Sequence, residues 1–170
     1  KSDSQYAVSK ALGEQSVLSH MPNAMIVRPS IVFGPEDEFF NRFAAMSRMG
    51  PILPVVGAAT KFQPVYVDDV AQAVVMGVLG KANGSVYELG GPEAYTFKDL
   101  MGEMLSVIRR RKLVVNIPFP VANVMALGFS LGKVLSLGLV APAITADQVR
   151  NLRRDNVVAS DAKTFVDLGI

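Results

Sequence analysis

Helical and strand-like segments alternate from one end of this chain to the other, and that alternation limits the fold more tightly than any single residue does. Apolar positions at Val8, Ala11, Leu12 and Leu18 have helical spacing over residues 4–20, and Pro22 stops them. Ala24 to Phe33, AMIVRPSIVF, reads as a strand ended by Gly34-Pro35. Phe39 to Met49 reads as a helix closed by Gly50-Pro51. Phe62 to Val67 is a short strand running into Asp68-Asp69, which can cap a helix over Val70–Leu79. A turn holding Asn83-Gly84 leads to the strand Val86–Leu89, and Thr96 opens a helix to about Arg110. Leu113–Ile117 is a further strand, and helical stretches over about 121–139 and 145–154 follow. Helix, strand, helix, strand at these loop lengths is the layer pattern of an α/β fold.

At 170 residues the chain can bury a sizeable core. Its first residues already read as a helix start, which Ser2, Asp3 or Ser4 can cap, and both ends read as cuts in a longer protein. Half of the residues are hydrophobic and mean hydropathy is +0.31, a richness that fits a piece lacking the other side of its core. Seventeen basic against fifteen acidic residues leave a net charge of +2, so no nucleic-acid partner is expected. With no cysteine and His20 as the one histidine, disulfides are excluded, and a thiolate or imidazole metal site is not expected. No signal peptide is visible, as in a cytoplasmic chain.

Within the opening helix, SQYAVSKALGE places Tyr6 four residues before Lys10, on one helix face. A phenol titrates near ~10, too high for ready proton exchange at neutral pH. A cation a few ångströms away stabilises the phenolate and lowers that value. Tyr6 could then pass a proton to or from a substrate oxygen while a hydride moves, and Lys10 could also hold a ribose hydroxyl. A Tyr-x-x-x-Lys also arises by chance in chains of this size, so the spacing alone leaves both readings open.

Three further stretches give the pair a context: RPSIVFGP at Arg28–Pro35, FQPVYVDDVAQA at Phe62–Ala73 and VYELGGPEAYTF at Val86–Phe97. Their order resembles the second half of an extended short-chain dehydrogenase/reductase, and the resemblance covers essentially the whole chain. It implies the C-terminal part of a Rossmann-type NAD(P)-binding fold over 1–100, with a subdomain insertion at about 34–67. A small, mostly helical substrate or docking subdomain would follow over 101–170. It implies catalytic-type roles for Tyr6 and Lys10, and places Pro29, Ser30 and Val32 beside the nicotinamide of NADP or NAD. Asp69 reads as a helix cap. No G-x-x-G-x-x-G fingerprint occurs, so the pyrophosphate loop and the companion serine would lie outside this chain, which alone should not bind the dinucleotide.

Members of that family acting on sugar nucleotides typically carry R-P-x-N-V-Y-G-P and R-D-F-V-H-V-D-D. Here Ile31 takes the Asn position, Phe33 the Tyr position, and Phe62-Gln63-Pro64 replaces Arg-Asp-Phe, with only Lys61 beside it as a point charge. An apolar side chain replaces neither a buried hydrogen bond nor a bidentate grip on phosphate. LPVVGAATKFQPVYVDDVA, Thr145–Val149 and Asp155–Val158 resemble instead the atypical branch that contains the nucleotide-binding accessory subunit of respiratory complex I and its bacterial relatives. Ala58 and Ala59 stand where glycines are usual there.

Two stretches lie outside those motifs. Arg109-Arg110-Arg111-Lys112 reads as a cationic helix end, complementing the dipole or meeting anionic lipid or a partner. Phe119 to Val140 holds one charge, Lys133, but Pro120, its three glycines and its polar residues favour a buried or docking helix over a membrane span. The resulting expectation is an NAD(P)H-binding protein whose nucleotide is largely structural. Its partners would be the dinucleotide and either complex I or a membrane surface, peripheral at the cytoplasmic face of the inner membrane. The alternative is a working oxidoreductase or epimerase on a small apolar carbonyl substrate, using Tyr6 and Lys10.

Overall fold

The computed structural model describes residues 4–82, 84–135 and 146–170. In chain order the elements are α1 (Gln5–His20), β1 (Ile26–Pro29), β2 (Val32–Phe33), α2 (Phe39–Met46), β3 (Ile52–Val56), β4 (Lys61–Phe62) and β5 (Val65–Tyr66). There follow α3 (Val67–Val78), β6 (Val86–Leu89), β7 (Tyr95–Thr96), α4 (Phe97–Val107), β8 (Leu113–Ile117), α5 (Phe119–Leu135), α6 (Ala146–Asn151) and α7 (Phe165–Leu168). Ser2, Asp3, Asn83 and Thr145, singled out in the sequence, lie outside the described residues, as does 136–139 of the expected helix. Among the described residues no helix is long and apolar enough to cross a membrane.

The sequence reads one strand from Ala24 to Phe33, and the structure divides it. β1 runs parallel to β6 in the register Val27↔Tyr87 and Pro29↔Leu89, and the Ser30 amide adds a last bond to the Leu89 carbonyl. β2 then pairs with β5, Val32 opposite Val65. The division falls where the chain changes partners, which local composition does not encode.

Side chains alternate across β1 and β6 and so meet different layers. Val27, Tyr87 and Leu89 pack with Val70 and Ala73 of α3 and with Phe165 and Leu168 of α7. Arg28 and Glu88 take the opposite face, where Arg28 reaches Glu14 of α1. Helices therefore flank the parallel pair on both sides, the α/β arrangement that the alternation implies.

A second core joins α2, β3 and β4 to α4 and β8. Leu53 and Val55 pack with Phe62, Phe97, Leu100, Met101, Met104 and Leu105. Phe97 is its centre, 5.6 Å from the rings of Phe39 and Phe62 and 5.3 Å from Phe43. Val56, Ala122, Ala126 and Val149 extend the apolar contact onto α5 and α6. β3 pairs in parallel with β8 along its whole length. Pro54 disguises β3 in the sequence, since proline cannot donate to a ladder; among the described residues β3 pairs with β8 alone.

Several element ends differ from the sequence reading. Asp68-Asp69 were expected to cap the helix before Val70, but α3 begins at Val67 with Tyr66 as its N-cap. Asp69 is thus not a cap; both carboxylates sit in the first turn, where they complement the helix dipole. α2 stops at Met46, and bonds from the Arg48 and Met49 amides to the carbonyls three residues back tighten its end. α4 stops at Val107 because Arg109 takes a left-handed conformation, φ 54°. In the loop after β3 that conformation falls on Gly57, φ 71°, so Ala58 and Ala59 need no glycine-like backbone.

Phe97→Ala should lower the unfolding free energy by about 3–5 kcal/mol, since it removes a buried ring and leaves a cavity among three others. Urea unfolding followed by circular dichroism measures this, and a loss below about 1 kcal/mol would contradict the packing described.

Candidate functional site

Ser4 is the N-cap of α1, accepting from the Ala7 amide at 3.5 Å. The helix start is held more firmly by Asp147 of α6. Its carboxylate accepts from the Ser4 hydroxyl at 2.9 Å, from the Gln5 amide at 2.9 Å and from the Tyr6 amide at 3.3 Å. Burial works to raise the Asp147 pKa, but these hydrogen bonds and the Arg150 charge together leave it below the usual carboxylate value. Farther along, Glu14 accepts from Arg28 Nε at 2.9 Å and Nη2 at 2.5 Å, a bidentate pair. The Arg28 hydrogen bond holds Glu14 below its ordinary pKa, and Glu14 in turn raises that of Arg28.

Between these two anchors Tyr6 and Lys10 share a helix face, with Lys10 Nζ 5.6 Å from the centroid of the Tyr6 ring. Tyr6 is 61% exposed, so the ring and its cation present an open surface. The chemistry of the pair, a phenol beside an ammonium, fits proton transfer and the holding of a ribose hydroxyl.

Pro29 and Ser30 line a separate hollow of about 180 Å³, with Arg28, Glu88 and residues 155–158 as its other walls; Tyr6 and Lys10 are not among them. The Ser30 hydroxyl donates to the Asn156 carbonyl at 2.8 Å and accepts from the Gln63 amide at 3.3 Å, so it is spent on holding the fold. Val32 is half-buried in β2. The structure thus brings Tyr6 to Lys10 and Pro29 to Ser30, and the second pair opens onto the 155–158 segment.

Three residues that join the site were given no site role from the sequence. Gln63 donates Nε2 to the Gly91 carbonyl at 2.7 Å and accepts from the Val158 amide at 2.9 Å, tying three loops together. Asp147 and Asn156 are the others, and their signal was present in the stretches Thr145–Val149 and Asp155–Val158. The two positions at which sugar-nucleotide enzymes carry Asn and Arg are apolar in deed as well as in name. Ile31 packs against the second core, and Phe62 is 6% exposed within it.

An apolar cavity of about 460 Å³ lies between α2, β3, α5 and α6. Phe39, Phe43, Met46, Val56, Ile117 and Met125 line it, with Arg42, Gln148 and Asn151 supplying its polar groups. That size and lining suit a small apolar molecule. For a nicotinamide dinucleotide the donors present, Tyr6 and Lys10, fit the nicotinamide-ribose end, and the sequence carries no glycine turn for the pyrophosphate. Among the described residues no cluster of His, Cys, Asp or Glu could hold a metal ion.

The RmlD substrate binding domain matches residues 3–122. The chain is 38% identical, over 99% of its length and 43% of the relative's, to NADH dehydrogenase (ubiquinone) 1 alpha subcomplex subunit 9, mitochondrial, of Arabidopsis thaliana. It is 34% identical to the NADH-ubiquinone oxidoreductase 40 kDa subunit of Neurospora crassa, over 99% of the chain and 43% of that protein. Ceramide reductase of Caulobacter vibrioides is 30% identical over 69% of the chain and 37% of that protein. The chain thus spans less than half the length of these relatives. Among solved structures, gox2253 superposes with a TM-score of 0.62 at 25% identity, over 92% of this chain and 48% of that one. A dTDP-glucose 4,6-dehydratase from Streptomyces venezuelae with NAD bound reaches 0.56 at 24% identity, over 66% and 38%. RMD from Pseudomonas aeruginosa, complexed with NADPH, reaches 0.56 at 21%, over 66% and 42%; the dehydratase and RMD share the fold with this chain.

The two carboxylates that hold α1 set its response to acid. Both have pKa values depressed by folding, so their stabilisation is present above the unfolded carboxylate range of about 4 and is lost as pH falls through the lower folded values. Hydrogen exchange should show the Gln5 and Tyr6 amides losing protection below pH ~4, and Asp147→Ala, which removes both acceptor oxygens, should produce that loss at neutral pH. Unchanged protection in the variant would mean that Asp147 does not hold the helix.

Proposed function

We propose, from the premise that this chain belongs to the RmlD substrate-binding-domain family and is close to the 39 kDa-type subunits of respiratory complex I, that it is part of a nicotinamide-dinucleotide-binding protein whose nucleotide is mainly structural. The observation that carries this reading is 38% identity sustained along 99% of the chain to a protein named as a complex I subunit. The burial of Phe62 and the packing of the half-buried Ile31 against the same core support it, because neither offers a polar group to a sugar nucleotide. The parallel β1–β6 pair, with a helix on each face, supports a Rossmann-type part over 1–100, and the second core supports treating 34–67 as an insertion that packs onto the 101–170 subdomain.

In this reading Tyr6 and Lys10 hold the nicotinamide-ribose end of NADP or NAD, with Pro29, Ser30 and Val32 forming the floor beside the nicotinamide. Lys10 supplies the positive charge and a donor to ribose oxygens. Pro29, lacking an N–H, leaves the strand end open, and Ser30 contributes position, since its hydroxyl is already engaged. The dinucleotide, when bound, supplies a hydride donor or acceptor. The further partner in this reading is a respiratory assembly or a membrane surface, with the protein peripheral at the inner membrane, on its cytoplasmic face in a bacterial cell.

A second reading is favoured by the apolar cavity and by the ceramide reductase among the relatives: reduction or epimerisation of a carbonyl on an apolar substrate. Tyr6 would then exchange a proton with the carbonyl oxygen, with Lys10 beside it.

Calorimetric titration with NADPH of a full-length protein, the upstream glycine-turn half included, tests the primary reading. Full-length protein should bind NADPH, and Lys10→Ala should weaken that binding ten- to a hundredfold, the worth of a charged hydrogen bond of about 1.5–3 kcal/mol. The 170-residue chain should bind negligibly. Turnover of any UDP- or dTDP-sugar at an ordinary enzymatic rate, or micromolar binding by the chain alone, would overturn it; turnover of a long-chain ketone would favour the second reading.

A further inference from the structure

The four consecutive cations at Arg109–Lys112 do not simply close their own helix. Arg110 Nη1 donates to the Ala44 carbonyl at 3.2 Å and to the Ser47 hydroxyl at 2.9 Å, and Lys112 Nζ donates to the Gly50 carbonyl at 2.7 Å. Two of the four therefore complete the carbonyls at the end of α2 and its following turn. These bonds fasten the α2–β3 turn to the α4–β8 turn. The Leu113 amide donates to the Pro51 carbonyl at 3.1 Å, and Ile52 stands opposite Leu113 at the start of the β3–β8 pair. The two turns form one tip of the molecule.

That tip carries an unusual surface. Met49 is 81% exposed, Val107 79%, Leu113 66% and Ile52 50%. Arg48, Arg109 and Arg111 stand among them, also exposed or half-buried, and among the described residues none of these arginines, nor Lys112, is in an ion pair with a carboxylate. Exposed apolar side chains thus stand between exposed cations on one surface. The arrangement matches the chemistry of an anionic membrane surface, where aliphatic prongs enter the acyl boundary while arginines remain at the phosphates. A single-stranded nucleic acid would be met by stacking rings, and no aromatic side chain stands among these residues.

We infer that the tip formed by residues 47–52 and 107–113 is a docking surface for anionic lipid, with Met49, Ile52, Val107 and Leu113 inserting and Arg48, Arg109 and Arg111 binding headgroups. It gives the peripheral placement proposed above a specific face, and its test is independent of nucleotide binding. The chain is sedimented with phosphatidylcholine vesicles, with and without phosphatidylglycerol. Wild type should pellet with the anionic vesicles and be largely released by raised salt. Arg109→Glu combined with Arg111→Glu should weaken that binding at least about tenfold, from about 1 kcal/mol per cation near an anionic surface. Met49→Ser combined with Leu113→Ser should weaken it with both charges intact, which a purely electrostatic attraction would not show. Arg110 and Lys112 are left in place because they hold the turns, and circular dichroism checks that each variant is folded. Lys81→Glu, an exposed cation elsewhere, should change nothing. Failure of wild type to bind anionic vesicles, or equal binding by the arginine variant, would overturn the assignment, and neither would bear on NADPH affinity.

Discussion

The fold depends on one short crossing, at which the chain returns after residue 154 and joins elements that are far apart in sequence. The Asn156 amide donates to the Lys61 carbonyl at 2.8 Å, and its own carbonyl accepts from the Gln63 amide and the Ser30 hydroxyl. Asp155 accepts from the Lys61 amide, and Val158 donates to the Gln63 side chain. Without this crossing, the end of β1 and the β4 edge would each carry unsatisfied polar groups, at about 1–3 kcal/mol apiece where they are buried. Gly91 lies so close to the Pro64 carbonyl that a Cβ would meet its oxygen at 2.1 Å, which leaves no slack for another route. The hollow beside Pro29 and Ser30 is the space left around this crossing.

That arrangement explains which parts were legible beforehand. Periodicity and breakers suffice for α1, β6 and β8, whose ends coincide with Pro22, Gly90 and Pro118. They fail where an element is defined by its partner. β3 contains Pro54 and exists because β8 lies alongside; β7 is two residues long and exists because β4 does. α7 spans four residues, closed by a Thr164–Asp167 capping box and Gly169, too brief for periodicity to register. The Tyr6–Lys10 pairing needed only helical spacing. The anchoring of that helix by Asp147 could not be seen, because it joins residues more than 140 positions apart.

The second core also bears on function. Ile31 and Phe62 are each one substitution away from side chains that could reach a ligand, yet both serve the packing around Phe97. A cationic side chain at position 62 would be desolvated among Phe39, Phe97 and Leu100 without a partner. The apolar choice here is therefore coupled to the aromatic cluster as a whole. Changing the ligand preference of this region would mean changing α2 and α4 with it.

The same coupling reaches the proton-transfer pair. α1 presents no buried residue to the rest of the protein, so its position rests on polar contacts: Asp147 at its first turn and Glu14 with Arg28 at its third. Asp147 belongs to α6, whose Val149 packs with Val56, Ala122 and Ala126 at the wall of the apolar cavity. Gln148 and Asn151 of the same helix line that cavity. The helix that lines the cavity is thus the one whose Asp147 holds Ser4, Gln5 and Tyr6, although no side chain of the pair lines the cavity.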